Sequence, residues 1–210
     1  MLDKLTPQQE AKIPEYFEKW LAIATAETPT EFYDAEALEA IKDAVVGAYD
    51  AAEKEITRDK IFIVDSPIMA MFVASAHVCG KPGKPEKPVK WKGDSKLTGM
   101  EAVENYLNGF ENPTTVIKQS SKFTNIIYWG MPIAGYYGYL DFFKRETDIK
   151  VDFKNSEYGE RLTILTHMLL ISDGFCVVSK RPCVLRTNRG SAIADGSPYM
   201  AWGDGIGVIA

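Results

Sequence analysis

A chain of 210 residues, 46% hydrophobic and 25% charged, has the composition of a globular protein; this excludes wholesale disorder and leaves room for one cooperative domain. The formal net charge is −5 and the 24 Lys and Arg residues are dispersed, so nucleic acid, which needs a concentrated positive footprint, is not an expected partner. Cys79, Cys176 and Cys183 leave one thiol over under any pairing, the N-terminus has no basic and apolar leader, and no run reaches the roughly 18 to 20 apolar residues of a membrane span, so a cytoplasmic location away from membranes is expected.

The first predicted element begins at Thr6, a hydroxyl cap followed by Pro7 and by Gln9 three residues on. Ile13, Phe17, Trp20, Leu21 and Ala24 recur at helical spacing and are assigned to one buried face, while Pro14 kinks this helix or marks its true beginning. Asp34 caps a second helix with Leu38, Ile41, Val45, Ala48 and Tyr49 as its apolar stripe. Ile61-Phe62-Ile63-Val64 reads as a short strand that feeds a helix through Asp65-Ser66-Pro67. Residues 80 to 93 switch to Lys, Pro and Gly, a composition that forbids helix and predicts an extended loop. A helix is expected over 98–110, and another from Glu157 to Ser172, ending near Asp173-Gly174.

Beyond 172, short apolar runs alternate with Gly, Asp, Asn and Pro clusters, the pattern of consecutive antiparallel strands. The expected fold class is α+β within one domain spanning 1–210: a mainly helical body over 1–172 with the strand near 61–64, then an antiparallel β subdomain over 173–210. Val208-Ile209-Ala210 ends without polar residues, which predicts a strand edge covered internally or paired with another chain, and so makes homo-oligomerisation an expectation.

Several segments together resemble a bacterial and phage family, domain of unknown function 6745. They are Leu5-Thr6-Pro7 with Gln9-Glu10 and Ile13-Pro14, Trp20 to Ile23, Val64 to Pro67, Tyr139 with Asp141-Phe142-Phe143, and Cys176 to Ser179 with Arg181-Pro182. The Asp195-Gly196 and Asp204-Gly205 turns resemble the family's repeated Asp-Gly pattern, with Ser197 inserted before Pro198. Two departures are the Lys/Pro-rich insertion around 80–93 and the stop at Gly207 to Ala210, where members continue through an aromatic-His-Gly segment. The resemblance implies a fold and transfers no catalytic residue.

Chemistry-bearing residues are sparse. His77, Cys79, Cys176 and Cys183 offer imidazole and thiolate, but without the close Cys pairs of structural zinc sites, so no metal is assigned. Cys176 with His167 and Asp173 or Asp141 is the only nucleophile set that can be assembled on paper, and Asp65 after a strand is more simply a cap or turn residue. The weak catalytic candidates are therefore Asp65, Asp141, His167 and Cys176. No glycine loop with a helix behind it cradles a phosphate, and no cofactor is implied. Arg181, Arg186 and Arg189 are candidates for a small anion-binding surface. Tyr128, Trp129, Tyr136, Tyr137 and Tyr139, interleaved with Gly130, Gly135 and Gly138, carry the best claim to ligand binding, since aromatic rings anchor interfaces and stack on bases or sugars. The expected function is a non-catalytic binding or interaction protein with a protein partner or a second copy of itself. The alternative is a small-molecule or nucleotide-directed enzyme with an aromatic-lined pocket.

Overall fold

The structure is a computed structural model that describes residues 4–79, 97–98, 126–128, 131–149, 154–172, 174–188, 191–192, 195 and 197–209. The expected loop at 80–93 lies outside the described residues, as does the expected helix at 98–110 apart from Thr98. Among the described residues the first four α-helices are α1 (Pro7–Thr25), α2 (Ala35–Ala51), α3 (Pro67–Cys79) and α4 (Met131–Glu146). α1 starts as its sequence dictates, with the Thr6 hydroxyl accepting the Gln9 N–H and the Gln9 side chain returning to the Thr6 N–H. It runs through Pro14, whose ring removes one rung of the hydrogen-bond ladder between two exposed residues, Glu10 and Pro14. Asp34 caps α2 by accepting from Ala37 N–H, and Ser66 caps α3 by accepting from Met69 N–H.

A fifth helix, α5 (Lys154–Leu165), corrects the expected helix from Glu157 to Ser172. Its last turns are tied off by Thr163 and Thr166, whose hydroxyls donate to Gly159 and Leu162 carbonyls, and Thr166–Ser172 is a strand. The strand is buried on both faces, so its apolar residues form a near-continuous run that mimics a helical stripe. Gly174, at φ +80, turns the chain back into the next strand, Phe175–Lys180. The expected boundary at 172/173 thus runs through the middle of a hairpin.

In chain order the strands are β1 (Ile61–Val64), β2 (Leu97–Thr98), β3 (Ile126–Tyr128), β4 (Thr166–Ser172), β5 (Phe175–Lys180), β6 (Val184–Leu185), β7 (Thr187–Asn188), β8 (Ser191–Ala192), β9 (Pro198–Ala201) and β10 (Gly207–Ile209). The main sheet has the order β1-β5-β4-β3, with β1 parallel to β5 and the other pairs antiparallel. Alternation along β4 and β5 sorts the core onto two faces. Leu169, Cys176 and Val178 pack on Ile41, Val45 and Leu162 of α2 and α5, whereas Met168, Leu170 and Val177 pack on Ala70 and Ala74 of α3.

A second sheet, β2-β10-β9-β6, lies toward α3, where Trp202 and Ile206 pack on Phe72 and Ala76. β10 is interior to this sheet, paired with β2 and β9. The apolar run at Val208-Ile209 is therefore covered within the chain, the first of the two outcomes expected for it, so this strand gives no argument for self-association.

Arg181 ties these parts together. Its guanidinium is buried and donates to Ile23 and Ala26 carbonyls at the end of α1 and to Ile164 at the end of α5, so one cation completes two helix C-termini. Its backbone N–H donates to the Tyr33 hydroxyl, which in turn donates to the Leu165 carbonyl. The expected anion-binding surface of arginines is corrected accordingly: Arg181 is interior, Arg186 pairs with Asp195, and Arg189 lies outside the described residues.

Candidate functional site

The aromatic segment singled out in the sequence forms α4, and α4 lies antiparallel against α1, with Glu146 near Gln9 and Tyr137 near Trp20. Close approach is possible because a Cβ at Gly138 would stand 3.4 Å from the Tyr16 carbonyl and Phe17 Cα. That approach sets Tyr139 edge-on to Phe17, with ring centroids 4.7 Å apart, and Tyr137 against Trp20 at 5.3 Å. Tyr137 is buried, and burial raises its hydroxyl far above the ordinary range. Tyr136 and Tyr139 point outward, 57% and 47% exposed. Leu21, one turn beyond Phe17, is 44% exposed and does not join the buried stripe assigned to it in the sequence.

The same helix pair also holds a polar junction. The buried Asp141 carboxylate accepts from Lys19 Nζ and Arg145 Nε at 2.5 Å each and from Trp20 Nε1 at 3.3 Å. Burial pushes its carboxyl up, but the Lys19 and Arg145 hydrogen bonds outweigh it and hold it below the usual carboxylate value. Tyr16 donates to Glu146 at 2.7 Å, and that bond, followed by burial, raises the phenol to about 12. Glu15, Tyr16, Lys19 and Arg145 line an open groove of about 250 Å³. Lys19 and Arg145 were not singled out in the sequence, although the four-residue spacing from Asp141 to Arg145 was a legible signal.

The four catalytic candidates do not converge. Cys176 is fully buried in the middle of β5, and burial raises its thiol to about 12, leaving no thiolate at neutral pH. It stands opposite Ile171 on β4, four residues and roughly 13 Å along the strand from His167. Burial, aided by the Arg181 charge, lowers His167 to about 4, so the ring is neutral, edge-on to Trp202 at 5.7 Å. Asp65 ends β1 and accepts from Lys180 Nζ at 2.7 Å. Asp141 lies in the helical junction. The set of Cys176, His167 and Asp141 is thereby corrected: Cys176 and His167 are apart along the β4–β5 pair and Asp141 stands in the α1–α4 junction, while the alternative member Asp173 lies outside the described residues.

Among the expected ligand-binding aromatics, Tyr136, Tyr137 and Tyr139 share α4, with Tyr137 buried against Trp20 while Tyr136 and Tyr139 face outward. Tyr128 is at the end of β3 opposite Met168, and Trp129 lies outside the described residues. A second cavity, about 90 Å³, lies between α2, α5 and the main sheet and is walled mainly by apolar side chains such as Val45, Leu162, Leu169 and Ile171, with Tyr49 and Lys54 also on its lining. Among the described residues no group of three or more His, Cys, Asp or Glu is placed to hold a metal ion, and no helix is long and apolar enough to cross a membrane. No family model, curated protein or solved structure matches the chain.

Proposed function

We propose that this chain is a non-catalytic interaction protein that associates through the α1–α4 face, with a second copy of itself as the first partner. The observation that carries this reading is the exposure of three large apolar side chains on one packed helix pair, Leu21 on α1 and Tyr136 and Tyr139 on α4, each more than two-fifths exposed. Tyrosines with two side-chain torsions give large contact area at small entropic cost. The surrounding charges suit an isologous contact, because Glu15 and Glu18 of one copy can face Lys19 and Arg145 of the other across a two-fold axis. Kinship with domain of unknown function 6745 is likewise a proposal, resting on the motifs quoted above.

A dilution series followed by backbone amide NMR tests the reading. Signals from 16–21 and 135–145 are expected to move with concentration while those of α2 and α3 stay fixed. Concentration-independent spectra would remove self-association as the function of this face.

A further inference from the structure

The cavity between α2, α5 and the main sheet is closed inside and open outside. Its inner end is formed by Val45, Leu162 and Leu169, each no more than 2% exposed, and it reaches the surface at Ala52 and Lys54, both exposed. The wall along α2 is a single helical stripe of Val45, Ala48, Tyr49 and the C-cap Ala52. From Val45 to Ala52 the helical rise makes this a channel about 10 Å long. The facing wall is β4, where alternation puts Leu169 and Ile171 on the same side. The outer half of the α2 stripe carries two alanines, and the space their short side chains leave is continuous with solvent.

The mouth is set by how α2 ends. Lys54 N–H donates to the Tyr49 carbonyl at 2.9 Å and Glu53 N–H to the Asp50 carbonyl at 3.0 Å, with Glu53 in the left-handed region at φ +56. In a helix end of this pattern, the residue after the left-handed one commonly packs an apolar side chain on the residue five positions back. Here those two residues are Lys54 and Tyr49, so a lysine stands where an apolar plug is usual. The Tyr49 hydroxyl is shared between the Ser172 and Phe175 carbonyls, at 2.8 and 2.9 Å, which leaves its ring for the wall. The side chains at the inner end are hydrocarbon, and apolar cavities of this kind stay dry and take apolar guests.

We propose that this channel binds a short unbranched alkyl chain with a small neutral head, of the primary alcohol class, its tail toward Leu162 and its hydroxyl at the Lys54 rim. The volume of about 90 Å³ is below the roughly 150 Å³ of an apolar cavity that accepts benzene, and a long, narrow space suits a chain better than a ring. The head is neutral because the mouth carries charge of both signs. Lys54 stands between Glu53 and Glu55 at the carbonyl end of α2, with Asp50 one turn back, so a carboxylate is repelled beside its one cation and an ammonium is repelled by Lys54. A hydroxyl both donates and accepts and so suits a mixed rim. The channel shares no residue with the α1–α4 face and is tested apart from it.

The test uses the full chain with ¹³C-labelled methyl groups, titrated separately with the straight-chain primary alcohols propanol, butanol and pentanol, and with pentanoate and benzene. The Val45, Leu162, Leu169 and Ile171 methyl signals are expected to move saturably with the alcohols. Each added methylene should tighten binding by up to about fourfold, the transfer free energy of one CH₂. Pentanoate and benzene should bind more weakly than pentanol. Ala48→Leu puts a larger side chain into the channel and should weaken pentanol binding by about tenfold or more. Ala52→Leu, at the exposed mouth, should weaken it too and carries the test if Ala48→Leu does not fold. Methyl signals that stay fixed, an affinity indifferent to chain length, tighter binding of pentanoate or benzene, or undiminished binding in the leucine variants would overturn the proposal.

Discussion

Two buried charges hold this protein together in opposite ways. Asp141, between α1 and α4, is an anion met by the side chains of two cations that are themselves about half exposed, Lys19 at 48% and Arg145 at 62%. Arg181, where α1, α5 and β5 meet, is a cation met only by backbone carbonyls. The first junction draws on charges that solvent screens and acid can remove, so it is tunable. The second draws on helix ends that do not titrate, so it is rigid. The contrast assigns roles: Arg181 fixes the scaffold, and the Asp141 junction holds the helix pair whose outer face is proposed as the contact surface.

The largest effect is expected at the rigid junction. Arg181→Met should cost about 2–4 kcal/mol in denaturant unfolding, since three carbonyls at two helix ends lose a charged donor. Arg181→Lys should recover part of that, limited by the loss of the planar fork. Equal losses for Met and Lys would break the idea that fork geometry matters here. A second effect is read in pH. His167 has an ordinary value of 6.5 and a native one of about 4, so as pH falls below 6.5 the unfolded chain takes up a proton that the native chain refuses. Stability is therefore expected to fall by about 3 kcal/mol between those values and to level off below them. His167→Gln should flatten that window, and Arg181→Met should narrow it, because the Arg181 charge contributes to the depression.

The tunable junction should give less. Asp141→Asn is expected to cost about 1–2 kcal/mol at neutral pH, since the two cations it releases reach water. The native Asp141 carboxyl is held below its unfolded value, so its contribution is complete above about pH 4 and disappears as pH falls through the native value. Acid titration of stability should therefore lose that component in the Asn variant and keep the His167 window. Thr6→Ala, removing the α1 cap remote from both junctions, should cost about 1 kcal/mol at every pH and so serves as a reference.

The helix starts were legible because capping is local: Thr6, Asp34 and Ser66 each stand next to the N–H groups they satisfy. The α+β class followed from the same local signals. Thr166–Ser172 was misread because burial on both faces erases the alternation that distinguishes a strand from a helix. The parallel pairing of β1 with β5 was not legible at all, since nothing local in Ile61–Val64 specifies a partner more than a hundred residues away. At the candidate face, the aromatic density drew attention to α4, yet only tertiary packing decides that Tyr137 turns inward while Tyr136 and Tyr139 face solvent. Arg181 looked like a surface arginine because its partners are backbone carbonyls, which carry no sequence signature.

Sedimentation equilibrium over a range of concentrations, on the wild-type chain and on the Tyr136→Ser, Tyr139→Ser double variant, tests the central claim most directly. The double variant should still fold, at a cost of about 1–2 kcal/mol from the lost Tyr139–Phe17 and Tyr136–Tyr137 ring contacts. The account predicts a wild-type mass that climbs from monomer toward dimer and a variant mass that stays monomeric. A wild-type chain that remains monomeric throughout, or a variant that associates equally well, would contradict the assignment of the α1–α4 face as the contact surface.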